Sequence, residues 1–351
     1  MKKAKDGIQH PDYEKAPMSR RALLGKIAAT GGIAGAAGYA AWAPEGAPGS
    51  LRDTSGLRSV PKVTPLRLPD FRVEKPAGAA DVGIGRHSDP LQNDASMLRA
   101  ALDAIGGLQH YVKRGDIVMV KPNVAFDRAP ALGATSNPRL LKELIHMLIV
   151  DCGAQEVRVA DNPIESPPDC FAKSRIGEAS QTAGGRVYLP DSNAFKMLHT
   201  PGAKLIENWW FFHRPFTNVD KVIGLAPIKD HNLCSASMGM KNWYGLLGGT
   251  RNQFHQDIHG IVSDLSVMMR PTLTILDGTH VLMQNGPTGG DPSNVKMGDA
   301  VIAAVDPVAC DAWAFEYLLE RGRDYPSYLY MAEEKGSGKV DWAGRVKEIQ
   351  A

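Results

Sequence analysis

Apolar residues along this chain gather into short runs, each closed by charged or amide side chains. "DIVMVKPN" (116–123) reads as a buried strand stopped by Pro122. Asn137 and Pro138 then form the cap and first turn of a helix. Leu140, Leu141, Leu144, Ile145, Leu148 and Ile149 recur at helical spacing behind them. Gly153 ends that helix, and "EVRVADNP" follows as a second strand. Strand, crossover helix and strand make a βαβ unit, which requires parallel pairing. "DKVIGLAPIKDH" (220–231) and "TLTILDG" (272–278) add a third and a fourth strand. "DAVIAAVDPVACDAWAFEYLLE" (299–320) holds a fifth, then a helix with Asp306 as cap and Pro307 in its first turn. The pattern predicts an α/β fold: a mostly parallel sheet with helices on both faces.

The strand ends carry the candidate chemistry. They are Lys121-Pro122-Asn123, Asp161-Asn162, Lys229-Asp230-His231, Asp277 and Asp306. Open parallel sheets bind ligands outside the carboxyl ends of their strands, where loops and helix N-termini converge. Asp before Gly or Pro is also ordinary turn and cap chemistry, an equally good reading of Asp277 and Asp306. Turn chemistry does not account for the lysines, so Lys121, Lys229 and Lys241 weigh more.

The stretch "HNLCSASMGMKNWYGLLGGTRNQFHQDIHG" (231–260) starts where the third strand stops and therefore lies over this rim. Ser235, Ala236, Ser237 and Gly239 let backbone approach a ligand closely. Lys241 and Asn242, placed in a loop by this reading, supply a charge and an amide that both donates and accepts. A helix is expected from about Gln256, burying Ile258, Ile261, Val262 and Leu265. On it His255 and His259 stand four apart, a spacing that can ligate a transition metal or serve packing instead. Gln256 replaces the glutamate of a zinc-protease helix, which excludes that class.

Composition narrows the classes further. Of 351 residues, 43% are hydrophobic and 22% charged, with a net charge of +2, as in a globular protein able to bury a core. No basic stripe with interleaved aromatics supports nucleic-acid binding. Cys152, Cys170, Cys234 and Cys310 are widely separated, so an intrinsic iron–sulfur or zinc motif is not expected. Whether they form disulfides or stay as buried thiols is open at this level.

At the N-terminus, Ser19, Arg20 and Arg21 precede a weakly apolar Gly/Ala-rich segment running from Ala22 to Ala43. That pattern resembles a twin-arginine export signal. Residues 1–43 are thus expected to be a signal peptide or an uncleaved membrane anchor, and 44–80 a Pro/Gly-rich lead-in. Residues 81–351 form one α/β domain in this reading. The glycines of "GGIAGAAG" mimic a dinucleotide fingerprint, but no strand precedes them.

The ordered succession "VKPNV", "TSNPRLL", "VADNP", "IKDH", "MGMKNWYGLLGGTR", "FHQDI", "ILDG", "NGPTGGDP" and "VDPVACDAWA" resembles the domain of unknown function 362 family over roughly residues 80–320. The resemblance implies an α/β domain, sometimes fused to ferredoxin-type cluster modules, with no settled reaction. It marks Lys121, Asn123, Asp161, Lys229, His231, Lys241, Asn242, His255, Asp277, Asp306 and Asp311 as site candidates, but not His259.

Three functions follow as expectations. The first is an exported, redox-associated protein, periplasmic or otherwise extracytoplasmic, with a bound cofactor or metal, or served by a partner-borne iron–sulfur cluster. Its partners would be the twin-arginine machinery and a ferredoxin-type or other redox protein. The second is a binding protein for an anionic small molecule. The third is a structural or assembly partner of an exported complex.

Overall fold

The computed structural model describes residues 65–87 and 94–351; the twin-arginine segment and the lead-in as far as residue 64 lie outside them. The strands are β1 (Val82–Arg86), β2 (Ile117–Lys121), β3 (Glu156–Ala160), β4 (Arg186–Tyr188), β5 (Phe195–His199) and β6 (Asn208–Phe212). They continue as β7 (Lys221–His231), β8 (Ser235–Ser237), β9 (Leu273–Leu282), β10 (Val295–Ala304) and β11 (Val346–Gln350). One sheet runs β11-β1-β10-β9-β7-β2-β3-β4, with β8 paired to β7, while β5 and β6 form a separate hairpin.

From β9 through β7, β2 and β3 to β4 every pairing is parallel. Helices cover both faces, because alternate residues of these buried strands meet different layers. Val118, Val120, Ile223 and Leu225 share a core with the helices α1 (Asp94–Ala104) and α2 (Pro138–His146). Met119 and Val222 lie on the other face with α3 (Gly239–Asn242) and α4 (Ile258–Met268). That face is completed by α5 (Pro307–Tyr317) and α6 (Ser327–Glu334). The Asn137 side chain accepts from Arg139 N at 2.9 Å, which is the cap anticipated for α2.

Three expectations about the frame need correction. β10, the fifth strand, is antiparallel to both β9 and β1. Residues 283–294, the Asn/Gly/Pro-rich link from β9 to β10, contain no crossover helix, so they can join only antiparallel neighbours. Ala304 therefore pairs with Thr274 at the amino end of β9, and Asp306 lies at the edge opposite the rim. Secondly, β9 continues to Leu282, which puts Asp277 inside a strand rather than at its end. Thirdly, the compact unit begins at Pro65, not at residue 81. Leu66 bridges Leu198, and buried Phe71 donates its N–H to Arg270 O at 3.1 Å, so residues 65–80 belong to the domain.

Trp243, fully buried, fixes how closely the layer carrying the site approaches the sheet. A Cβ on Gly224 of β7 would stand 2.8 and 2.9 Å from two carbons of the Trp243 ring, inside van der Waals contact. Gly224→Ala is expected to destabilise the fold by about 1–3 kcal/mol through overpacking. Thermal unfolding checks this, and an unchanged Tm would contradict the packing described.

Candidate functional site

β2 and β3 are adjacent and parallel, so Lys121, the last residue of β2, faces Asp161, which directly follows β3. Lys121 Nζ lies 2.8 Å from Asp161 Oδ1, with both side chains buried. It also donates to Asn242 Oδ1 at 2.8 Å. Asn242 receives a second hydrogen bond there from Asn123 Nδ2 at 3.1 Å and returns one from its own Nδ2 to Lys121 O at 3.1 Å. Lys229 Nζ completes the chain, donating to Asn123 Oδ1 at 3.2 Å and to Ala134 O at 2.6 Å. The order Asp161, Lys121, Asn242, Asn123, Lys229 is thus one continuous buried network.

The sequence explains why this network forms here. β7 pairs Gly224 with Lys121 and then runs on past the end of β2, lifting Lys229 and His231 above the sheet edge. Asp311 of α5 accepts from Gly239 N at 2.9 Å and Met240 N at 3.0 Å, anchoring the start of α3. Gly245 then passes so close to the ion pair that a Cβ would meet Asp161 Oδ1 at 2.0 Å. Lys241 and Asn242 consequently sit on a short helix, not in the loop expected.

These residues enclose a cavity of about 70 Å³. Lys121, Asn123, Asp161, Lys229, His231, Lys241, Asn242 and His255 line it, as the strand-end pattern anticipates. Four basic side chains, Lys121, Lys229, Lys241 and Arg251, meet one lining carboxylate among the described residues, Asp161. That carboxylate is committed: it also accepts from Val124 N at 2.6 Å and Asn162 N at 2.9 Å. Lys241 Nζ stands 5.2 Å from the Tyr244 ring centroid, and among the described residues it makes no ion pair.

Burial lowers the pKa of Lys121 and of Lys241, with Asp161 opposing the shift at Lys121. Lys229 falls well below the ordinary 10.5, through burial first and then the charges of Lys241 and Lys121. His231 is pushed down to about 2 by burial first and then by Lys241 and Lys229. Its Nδ1 accepts from Leu233 N at 3.1 Å, so the neutral ring carries its proton on Nε2 as a donor.

Four candidates lie elsewhere. His259 stacks on Tyr328 at 5.9 Å, whereas His255 meets Tyr244 edge-on at 5.6 Å and lines the cavity. The pair is split because residues Arg251–Asp257 form a 3-10 helix and α4 starts only at Ile258. Among the described residues no cluster of three or more His, Cys, Asp or Glu side chains could hold a metal ion. Asp277 faces the α2 layer, accepting from Asn137 N at 3.0 Å and Thr279 Oγ1 at 2.6 Å. Asp306 caps α5, accepting from Val308 N and Ala309 N at 2.9 Å, and pairs with Arg345 at 2.6 Å. Asp311 is buried beneath α3, its pKa raised to about 7 by burial. All four cysteines are buried and unpaired.

Sequence reasoning missed Arg251 and Tyr244. Arg251 is held by carbonyls rather than by an acid: Nη1 donates to Leu247 O at 3.1 Å, and Nη2 to Asn162 O at 2.7 Å and Pro163 O at 3.0 Å. It thereby ties the loop after α3 to the end of β3. Tyr244 Oη donates to Arg251 O at 2.5 Å. The available signal was a basic residue directly after the paired glycines of "GGTR".

The family model described as a domain of unknown function (DUF362) matches residues 118–316, a span that contains every cavity residue named above. The chain belongs to this family. Over 229 residues it is 26% identical to the thylakoid-associated protein sll1697 of Synechocystis sp., an alignment covering 61% of this chain and 66% of that relative's length. The lactate racemase apoprotein of Thermoanaerobacterium thermosaccharolyticum is a distant structural neighbour, with a TM-score of 0.39 and 14% identity over 72% of this chain and 60% of that one. A Thermotoga maritima protein has a TM-score of 0.37 and 13% identity over 57% of this chain and 54% of that one. Likenesses of this size bear on neither substrate nor chemistry.

Burial of Lys229 has a signed consequence for stability. Its folded pKa lies below the ordinary 10.5, so within that window the unfolded chain binds a proton that the folded chain does not. Stability must then rise with pH across the window, by at most about 1.4 kcal/mol per pH unit. Lys229→Met removes this dependence, so wild type should lose stability relative to the variant as pH falls from 10.5 towards neutrality. Denaturant unfolding of both proteins across that range measures it, and a pH-independent difference would show that Lys229 stays charged.

Proposed function

We propose that this protein is exported in the folded state and that its sheet-edge cavity takes up a small anionic molecule of the carboxylate or phosphate class. The observation that carries the binding reading is the unanswered charge: Lys121, Lys241 and Arg251 line the cavity beside the Lys229 amine, and among the described residues Asp161 is the one lining carboxylate. Buried ammonium and guanidinium groups are costly to hold together without an answering anion. Asp161 answers Lys121 and has its remaining acceptors filled by backbone N–H groups. Lys241, the neutral His231 donor and the Lys229 amine are left for the ligand. A cavity of about 70 Å³ suits a molecule of only a few heavy atoms.

The redox-associated reading draws on the twin-arginine pattern, since that route carries proteins already folded around their cofactors. It ranks second because basic side chains outnumber the one carboxylate among the described residues lining the cavity, a balance that disfavours a metal cation and favours an anion. The partners in the leading reading are the export machinery and a small anion, and the location is extracytoplasmic.

Titration calorimetry with inorganic phosphate and with short-chain carboxylates tests the binding reading. Wild type is expected to bind at least one of them, and Lys241→Ala to keep its circular dichroism spectrum while losing about tenfold or more in affinity. Silence of wild type towards the whole panel would refute the anion site. Export is tested separately. Changing Arg20 and Arg21 together to Lys is expected to hold the protein in the cytoplasm, and unchanged export of that variant would contradict the signal reading.

A further inference from the structure

Lys229 differs from the other lysines of the cavity. Lys121 has a carboxylate at 2.8 Å. Lys241 is only partly buried. Lys229 is buried to 1% exposure, and among the described residues it has no acidic partner. Its Nζ contacts are two acceptors, Asn123 Oδ1 and Ala134 O, together with the Phe126 ring, whose centroid lies 5.2 Å away. An ammonium carries three hydrogens, whereas a neutral amine carries two hydrogens and a lone pair. Two acceptors satisfy the neutral amine completely and leave its lone pair unengaged. An uncharged amine next to other cations is the state in which lysine becomes a nucleophile towards carbonyl compounds.

Resting on the anion reading above, we propose that Lys229 captures a small 2-oxo carboxylate as an imine, with the carboxylate held by Lys241 and the His231 Nε2–H. The amine nitrogen attacks the keto carbon, forming a C–N bond and a carbinolamine. The C–O bond then breaks, and the oxygen leaves as water carrying the two hydrogens that Lys229 gives up. No oxidant, reductant or metal is consumed. The substrate class follows from size and charge. In so small a cavity the group held by Lys241 and the carbon attacked by Lys229 must be close neighbours in one molecule, as carboxylate and keto carbon are. The direction of the Lys229 shift, set by burial and the neighbouring lysines, agrees with the neutral amine that two acceptors satisfy.

The test is reductive trapping of the full chain with pyruvate and cyanoborohydride at neutral pH, followed by peptide mapping. Pyruvate binding is followed in parallel by calorimetry, with propionate as the analogue lacking the carbonyl. The expected result is one carboxyethyl adduct on Lys229, on the order of tenfold above any other lysine, and suppressed by excess propionate. The map is read on wild type, so it does not depend on a variant that fails to fold; Lys229→Arg, where folded, should bind pyruvate without trapping it. Pyruvate that binds but leaves Lys229 unmodified overturns the covalent step while the anion reading stands. Labelling spread evenly over surface lysines also overturns it. Failure of pyruvate, propionate and phosphate alike to bind removes both readings.

Discussion

The buried Lys121–Asp161 ion pair is the constraint on which the site depends. It joins the ends of two adjacent parallel strands, and both side chains are about 1% exposed. A pair taken out of water at this depth holds only if its remaining hydrogen-bonding capacity is met, and removing one partner costs about 3–5 kcal/mol. Here the capacity is met from three directions: by Val124 N, by Asn162 N and by the Asn242 amide. The first two lock the chain that leaves β2 and β3, and the contact to Asn242 draws α3 to the same sheet edge. The stretch from Gly239 to Arg251 therefore closes over the strands as a structured layer.

Asymmetry among the lysines follows from that pair. Asp161 is fully engaged by Lys121 and the backbone, so it cannot also answer Lys229 or Lys241. Arg251, which could have been a counter-cation to an acid, is instead caged by carbonyls and serves to position the loop. The cavity thus keeps the charge of Lys241 unanswered beside the neutral donors and acceptors of Lys229 and His231. Anion recognition and amine chemistry need that combination: donors held in place, with the charge answered only by the ligand.

Much of this was legible in the chain itself. Short apolar runs with lysine, asparagine or aspartate at their ends located β2, β3 and β7, and those ends do meet. Asn137-Pro138 announced the helix between the first two strands. Other features were hidden for physical reasons. A buried strand reads the same whichever way it runs, so β10 passed as parallel; only the link "MQNGPTGGDPSN", too short for a crossover helix, betrays the reversal that removes Asp306 from the rim. His255 and His259 have helical spacing, but a 3-10 turn before Ile258 rotates them onto different neighbours. Arg251 escaped notice because its partners are backbone carbonyls, which leave no trace in residue identity.

The unanswered charge at this sheet edge is what makes the cavity, as proposed, a binding site for an anion. Crystals of the domain soaked in bromide, with data collected at the bromine absorption edge, test it most directly. An anomalous peak is expected inside the cavity in contact with Lys241 and the His231 Nε2–H. Bromide found only on the outer surface, with none in contact with Lys241, would contradict it.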